Sequence, residues 1–236
     1  MEDSSFGRLI GVLISPGKTF RSLAERPTWA VALLVLMLVS GAVWFLAGKR
    51  IDYRDTITQS VRHSGRNVTE AQLEPQIAMM EKGGAYIYGL SVPVVVAFFA
   101  LLAALINWVA FKLQGSDIDY KSSLAVNLHA AVPQVVIASL LSLPVILSKE
   151  SLGYDDVKTG SLLASNLAFL APEGSHAWVT AALASLDFFA LWGLVLSVIG
   201  YRAAARVSTK AAVVTVLVVW LLFVGIRVGW VALFGG

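Results

Sequence analysis

Asp187 and Arg227 are the only charges set well inside long apolar runs of this 236-residue chain. At such depth in a bilayer an ionisable side chain costs about 2.5–3.5 kcal/mol on insertion scales, so each needs a partner, water or a route to the interface. Asp187 follows the outer start of its run by eight residues, and Arg227 precedes the end of its run by seven. At about 1.5 Å of helix rise per residue the two depths agree within a few ångströms, which predicts an intramembrane ion pair between antiparallel neighbours. The competing reading has Arg227 snorkel outward alone along the face of Trp220 and Phe223.

Four uncharged polar residues in the runs carry the rest of the possible chemistry: Asn107, Asn127, His129 and Gln134. Asn107, Asn127 and His129 stand near the same ends of two successive runs, where they form either a hydrated pocket or a hydrogen-bonded clasp beneath a short loop. His129 has no second histidine nearby in sequence, and the chain has no cysteine, so a metal site is not expected. There is no His-Glu-x-x-His helix, no Gly-x-Ser-x-Gly elbow, no phosphate-binding glycine loop and no second intramembrane carboxylate to form a dyad with Asp187. The expectation is a protein without catalytic residues or cofactors.

The elements that must position these residues are five apolar runs: Thr28–Ala47, Tyr86–Phe111, Leu124–Leu147, Val179–Gly200 and Ala211–Phe234. A hydrocarbon core of about 30 Å calls for roughly 20 apolar residues of helix, because backbone polar groups there are satisfied only within the segment. With 57% apolar and 14% charged residues the chain has too little polar surface for a soluble domain, and nothing indicates nucleic acid as a partner. The fold class is therefore all-α, a polytopic membrane protein with a bundle of five transmembrane helices. Pro93, Pro133 and Pro144 mark possible breaks. In the second, third and fourth runs small and polar residues recur every three or four positions: Gly89 to Asn107, Asn127 to Ser142, and Ala184 through Asp187 to Gly200. Those faces should meet as an inner seam. Gly225 and Gly229 form a small-xxx-small pair that serves either homo-oligomerisation or packing within one bundle.

Five crossings put the termini on opposite sides. With the N-terminus in the cytoplasm the inner segments carry nine basic residues and the outer loops eight, but the outer loops are longer and hold nine carboxylates. This favours a cytoplasmic N-terminus. The outer loops are expected to hold a helix at Thr69–Lys82 stopped by Gly83–Gly84, and a short helix near Ser161–Leu170 in an otherwise irregular cap.

Ahead of the first run, Phe6, Leu9, Ile10 and Leu13 fall on one helical face with Arg8 on another, and Ser15–Pro16 opens a second short helix carrying Lys18, Phe20, Arg21 and Leu23. Residues 1–26 thus read as an N-terminal interfacial amphipathic segment, and 27–236 as the transmembrane domain. Arg8, Lys18, Phe20 and Arg21 are the candidate docking residues; the simpler alternative is that the segment only anchors the first span.

Ile14-Ser15-Pro16-Gly17-Lys18-Thr19-Phe20, followed by Leu23, Pro27 and Trp29, resembles the N-terminal boundary of bacterial Yip1-domain proteins. Ser123 to Pro133 is similar to that family's small-residue segment running into a proline. The Asp-Leu-Tyr-Gly-Pro signature of the eukaryotic branch is absent. The resemblance implies a fold and a location in the bacterial inner (plasma) membrane rather than an activity. It favours a noncatalytic adaptor that organises membrane or recruits a membrane or cytoplasmic protein. The other reading is a small transporter or lipid-handling protein built on the polar seam. The lipid bilayer is a partner in either case.

Overall fold

The computed structural model describes residues 4–64, 67–158, 162–172 and 174–234. Ser161, where the expected short helix begins, and Arg66 and Glu173, which are among the charges counted in the outer loops, lie outside them. The described residues are overwhelmingly helical. In order they form α1 (Ser5–Ile14), α2 (Pro16–Glu25), α3 (Ala30–Gly48), α4 (Tyr53–His63), α5 (Glu70–Leu113), α6 (Tyr120–Ala130), a π-helical turn (Pro133–Ile137) and α7 (Ala138–Ser148). The short α8 (Tyr154–Val157), a 3₁₀ turn (Leu167–Leu170), α9 (Ala177–Ala184), α10 (Phe188–Ala204) and α11 (Thr209–Phe234) follow. Four segments are long and apolar enough to cross a bilayer: Ala30–Gly48, Glu70–Leu113, Tyr120–Ser148 and Thr209–Phe234. Their outer faces carry large apolar side chains, such as Leu90 at 72% and Leu233 at 77% exposure, which only lipid can cover without cost.

The fourth run is not the continuous helix expected over Val179–Gly200. It splits into α9 and α10 at Ser185–Asp187. The amides of Ser185 and Leu186 fold back onto the carbonyls of Ala182 and Leu183, closing α9 with tight turns. The amide of Phe188 then turns to the carbonyl of Ser165, 2.9 Å away, and Asn166 pairs with Asp187 in an antiparallel bridge. The backbone groups freed by the break are therefore satisfied by a neighbouring strand of loop. The expected series through Ala184 and Asp187 does not share one helical face. The helix near Ser161–Leu170 is shorter than expected, reduced to the 3₁₀ turn.

The chain divides into two compact units. In the unit made of residues 1–39, 93–138 and 189–223, α1 and α2 pack against each other and on α6. Its core is built from Val12, Phe20, Leu23, Phe111, Leu128 and Tyr201. In the unit made of residues 40–92, 139–188 and 224–236, the two longer loops are knitted together. Ile51 and Leu152 form a parallel bridge, and the amide of Tyr154 donates to Asp55 Oδ2 at 2.8 Å. His63 stacks on Tyr154, with ring centroids 4.9 Å apart.

Gly83–Gly84 was expected to stop a helix, yet α5 runs through both for 44 residues, about 66 Å at the usual rise. The glycines have different work. A Cβ on Gly84 would stand 2.3 Å from the Tyr53 hydroxyl, and one on Gly48 would stand 2.7 Å from the Cα of Ala85. Gly48 and Gly84 thus let α3, α4 and α5 close on one another, and Tyr53 fills the junction by donating to the carbonyl of Gly48 at 2.7 Å. Pro93 also lies inside α5 without ending it. A proline removes only one ladder bond, and membrane helices tolerate that loss. Gly225 and Gly229 have no atom within 4 Å of a built Cβ, so they are not used for packing among the described residues.

Gly84→Ala should lower the melting temperature of the purified protein by an amount equivalent to about 1–3 kcal/mol of overpacking. Gly83→Ala, where a Cβ meets nothing, should be neutral or stabilising, and equal effects at the two positions would contradict the packing role. Burial, reinforced by the neighbouring Tyr88 phenol, pushes the Tyr53 hydroxyl up to about 12. Because the folded value lies above the unfolded one of about 10, this stabilisation is complete below pH 10 and is lost as pH rises toward 12. Urea midpoints measured from pH 9 to 12 should fall more steeply for the parent than for Tyr53→Phe.

Candidate functional site

Hydrogen bonds between the expected small and polar faces concentrate in the first unit, on α5, α6 and α10. The small residues Ala100 and Ala104 on α5 bring its backbone within reach of α6. Asn127 Nδ2 donates to the carbonyl of Ala100 at 3.0 Å, and Ser123 Oγ donates to that of Ala104 at 2.7 Å. From α10 the Tyr201 hydroxyl reaches Ser123 Oγ at 2.9 Å, and its ring stacks on Phe111. Glycines on α10 allow this approach: a Cβ on Gly193 would lie 3.0 Å from the carbonyl of Ala130, and one on Gly200 would strike Val126 and Phe20.

Asn107, Asn127 and His129 all belong to this region, but not as one pocket. Asn107 Nδ2 turns back to the carbonyl of Ala103, and its Oδ1 is buried without a hydrogen-bond partner. His129 is 1% exposed; its Nδ1 donates to the carbonyl of Ala125 at 2.8 Å, and its Nε2 is likewise buried and unpartnered. Gln134 is exposed and stands outside the seam. The reason is the turn at Pro133. Proline lacks the amide that would continue α6, and the π-helical turn that follows adds residues per turn, which rotates Gln134 away from the face of Asn127. The seam is tightly packed: Ser123, Ala125, Leu128 and Tyr201 are fully buried. It holds no nucleophile paired with a base. Among the described residues no three potential ligands gather for a metal ion.

The N-terminal residues are arranged differently from the expectation. Arg8, expected on a face apart from Phe6, Leu9, Ile10 and Leu13 and as a docking residue, points inward with Leu9 and Val12, while Phe6, Ile10 and Ile14 face outward. Its guanidinium is a fork that ties three segments. Nη1 donates to the carbonyl of Arg26 at 2.8 Å and to Thr28 Oγ1 at 2.9 Å, and Nη2 donates to Ser22 Oγ at 3.0 Å. The cation thus sits at the C-terminus of α2, where the helix dipole is negative. Phe20 is also core rather than docking surface, fully buried against the position of Gly200. Lys18 and Arg21 remain on the exposed side of α2.

In the second unit, Asp187 lies in the break between α9 and α10 and accepts a hydrogen bond from Ser165 Oγ. Arg227 stands on the outer surface of α11. The residues missed in sequence are Ser123, Tyr201 and, in its structural role, Arg8. Tyr201 follows Gly200 directly, and a polar aromatic at the end of an apolar run was the available signal. The partner of Arg8 is a set of backbone and hydroxyl oxygens 14 to 20 residues away, which no local pattern announces.

Arg8→Lys keeps the buried charge but cannot reproduce the fork. It should destabilise the protein by about 1–3 kcal/mol, read as earlier melting, because charge-assisted bonds are lost in a buried site. Arg21→Ala, on the exposed face, should change melting by less than about 0.5 kcal/mol. Equal melting of Arg8→Lys and the parent would remove the stapling role.

Residues 10–230 match the model of the Yip1 domain. The chain is also 26% identical over 226 residues to "Membrane protein YknW" of Bacillus subtilis, covering 92% of this chain and 90% of that protein. No solved structure matches. The matched region takes in the second half of α1, all of α2 and α3, the α5–α6–α10 seam and nearly all of α11, and on that extent the chain belongs to the Yip1 domain family of membrane proteins.

Proposed function

We propose that the chain is a noncatalytic multi-pass protein of the bacterial inner (plasma) membrane, organising that membrane and recruiting a protein partner at its cytoplasmic face. The observation that carries this reading is the N-terminal pair α1–α2, held to the start of α3 through Arg8 and packed on α6. On α1 the pair exposes an apolar row, Phe6, Ile10 and Ile14, and on α2 the basic residues Lys18 and Arg21. Apolar burial and attraction to anionic headgroups seat such a surface in the interface, at about 1 kcal/mol per basic residue. Residues 1–26 then form an interfacial amphipathic segment of fixed orientation, and 27–236 cross the membrane five times, with α9 and α10 together making the fourth crossing. The packed seam supports a structural bundle over a solute path, since transport needs a polar cavity.

In the same reading Asp187 and Arg227 pair across the outer half of the membrane as a structural contact. If so, expression lost in Asp187→Arg and in Arg227→Asp returns in the double exchange; failure to return argues for separate partners. A second reading, a small transporter or lipid-handling protein, draws on the interrupted helices at Pro133–Ile137 and Ser185–Asp187, since broken helices at membrane depth line binding sites in transporters.

Pull-down in mild detergent separates the two. The adaptor reading expects a partner that copurifies with the parent and is lost from Lys18→Glu/Arg21→Glu, at unchanged melting temperature. Equal recovery from both proteins, or solute uptake into vesicles that depends on the chain, would displace it. A reporter fused after residue 236 should be active only outside the cytoplasm.

A further inference from the structure

We infer that the groove between the end of α5 and the first three turns of α11 binds a phospholipid with a net negative headgroup. The groove encloses about 450 Å³ and is lined by Ala110, Gln114, Ser208, Lys210, Val214 and Val218, among others. Its polar and apolar parts are separated along its length. At one end stand Ser208 and the exposed Lys210, where α11 begins. Farther along, the polar atoms of the floor are turned inward: Gln114 Nε2 donates to the carbonyl of Ala110 and to Thr215 Oγ1 at 2.7 Å, and Thr215 Oγ1 donates to the carbonyl of Ala211. What remains for a ligand there is aliphatic surface, with Val214 and Val218 each more than half exposed.

The dimensions fit one lipid leaflet. From Ser208 to Val218 the helix rises about 15 Å, and half of a hydrocarbon core of about 30 Å has the same depth. A lipid whose phosphate lies at Ser208–Lys210 would lay its chain along Val214 and Val218. The charge is also matched to an anion. Lys210 lines the polar end itself, and the chain that continues from α5 and leads into α11, residues 112–121 and 202–210, carries five basic residues, Lys112, Lys121, Arg202, Arg206 and Lys210, against Asp117 and Asp119. Inorganic phosphate would use the basic end but not the aliphatic length, and a zwitterionic lipid would use the length but not the charge. This inference does not rest on the adaptor reading.

Native mass spectrometry of the purified full-length protein tests it, with phosphatidylglycerol or phosphatidylcholine of identical chains, or inorganic phosphate, added to the micelles. Phosphatidylglycerol should be retained about fivefold over phosphatidylcholine, the ratio expected for one basic contact. Lys210→Gln should abolish that preference. Val218→Trp, which fills the groove from an exposed position, should lower retention of both lipids, and Val214→Trp serves as its replicate. Equal retention of the two lipids by the parent, unchanged retention in both tryptophan variants, or displacement of the lipid by inorganic phosphate would overturn the assignment.

Discussion

Hydrocarbon offers no hydrogen-bond partner, so a polar group carried into the bilayer is costly unless the chain itself supplies one, and of the seam's side chains only Asn107 and His129 each leave one atom unmatched. That constraint accounts for the most specific features of the structure. The hydroxyl of Ser123 and the amide of Asn127 are spent on carbonyls of α5, and Tyr201 closes the same network from α10. Each bond is worth little alone, about 0.6 kcal/mol on average in membrane bundles. Their value lies in register, since each fixes the height of one helix against another. Arg8 applies the rule to a full charge. Its three acceptors are a carbonyl and two hydroxyls, gathered from the end of α2 and the approach to α3.

The two helix interruptions obey the same rule. At Pro133 the lost amide is absorbed by a π-helical turn, which keeps the helix path while changing its phase. At Ser185–Asp187 the chain leaves the helix altogether, and the loop at Ser165–Asn166 supplies the missing partners for Asp187 and Phe188. A break at either place without such compensation would leave backbone groups bare, at several kilocalories per mole each. The interruptions thus read as stable parts of the architecture.

Close packing decides what the bundle can do. Glycines at 48, 84, 193 and 200 bring backbones and rings into contact, and His129 is buried among Ala125, Leu128 and Ala130. Chemistry is then left to the surfaces: the apolar and basic side of α1–α2, and the groove along α11 where Lys210 heads an aliphatic furrow. In the function proposed above, the first of these is the surface that meets membrane and partner.

Helical class, membrane residence and the α5–α6 contact were legible in the sequence, because apolar length and small-residue spacing are local properties that survive any tertiary arrangement. Ala100 and Asn127 lie on two of the faces that spacing expects to meet, but no spacing selects that pair. Other outcomes were decided only in three dimensions. Gly83–Gly84 reads locally as a helix stop, and only the ring of Tyr53 explains why α5 continues past a glycine that exists for contact. Arg8 reads as a surface cation, since hydropathy cannot foresee three acceptors converging from residues 22 to 28. Gln134 has the right spacing for the seam, but a spacing rule assumes an unbroken α-helix, and the turn at Pro133 breaks that assumption. Four of the five apolar runs could be read as spanning helices from their residues, because transfer of a side chain into hydrocarbon is a property of the residue. The tertiary structure decided which polar groups face each other, because hydrogen bonds depend on partners that distant segments supply.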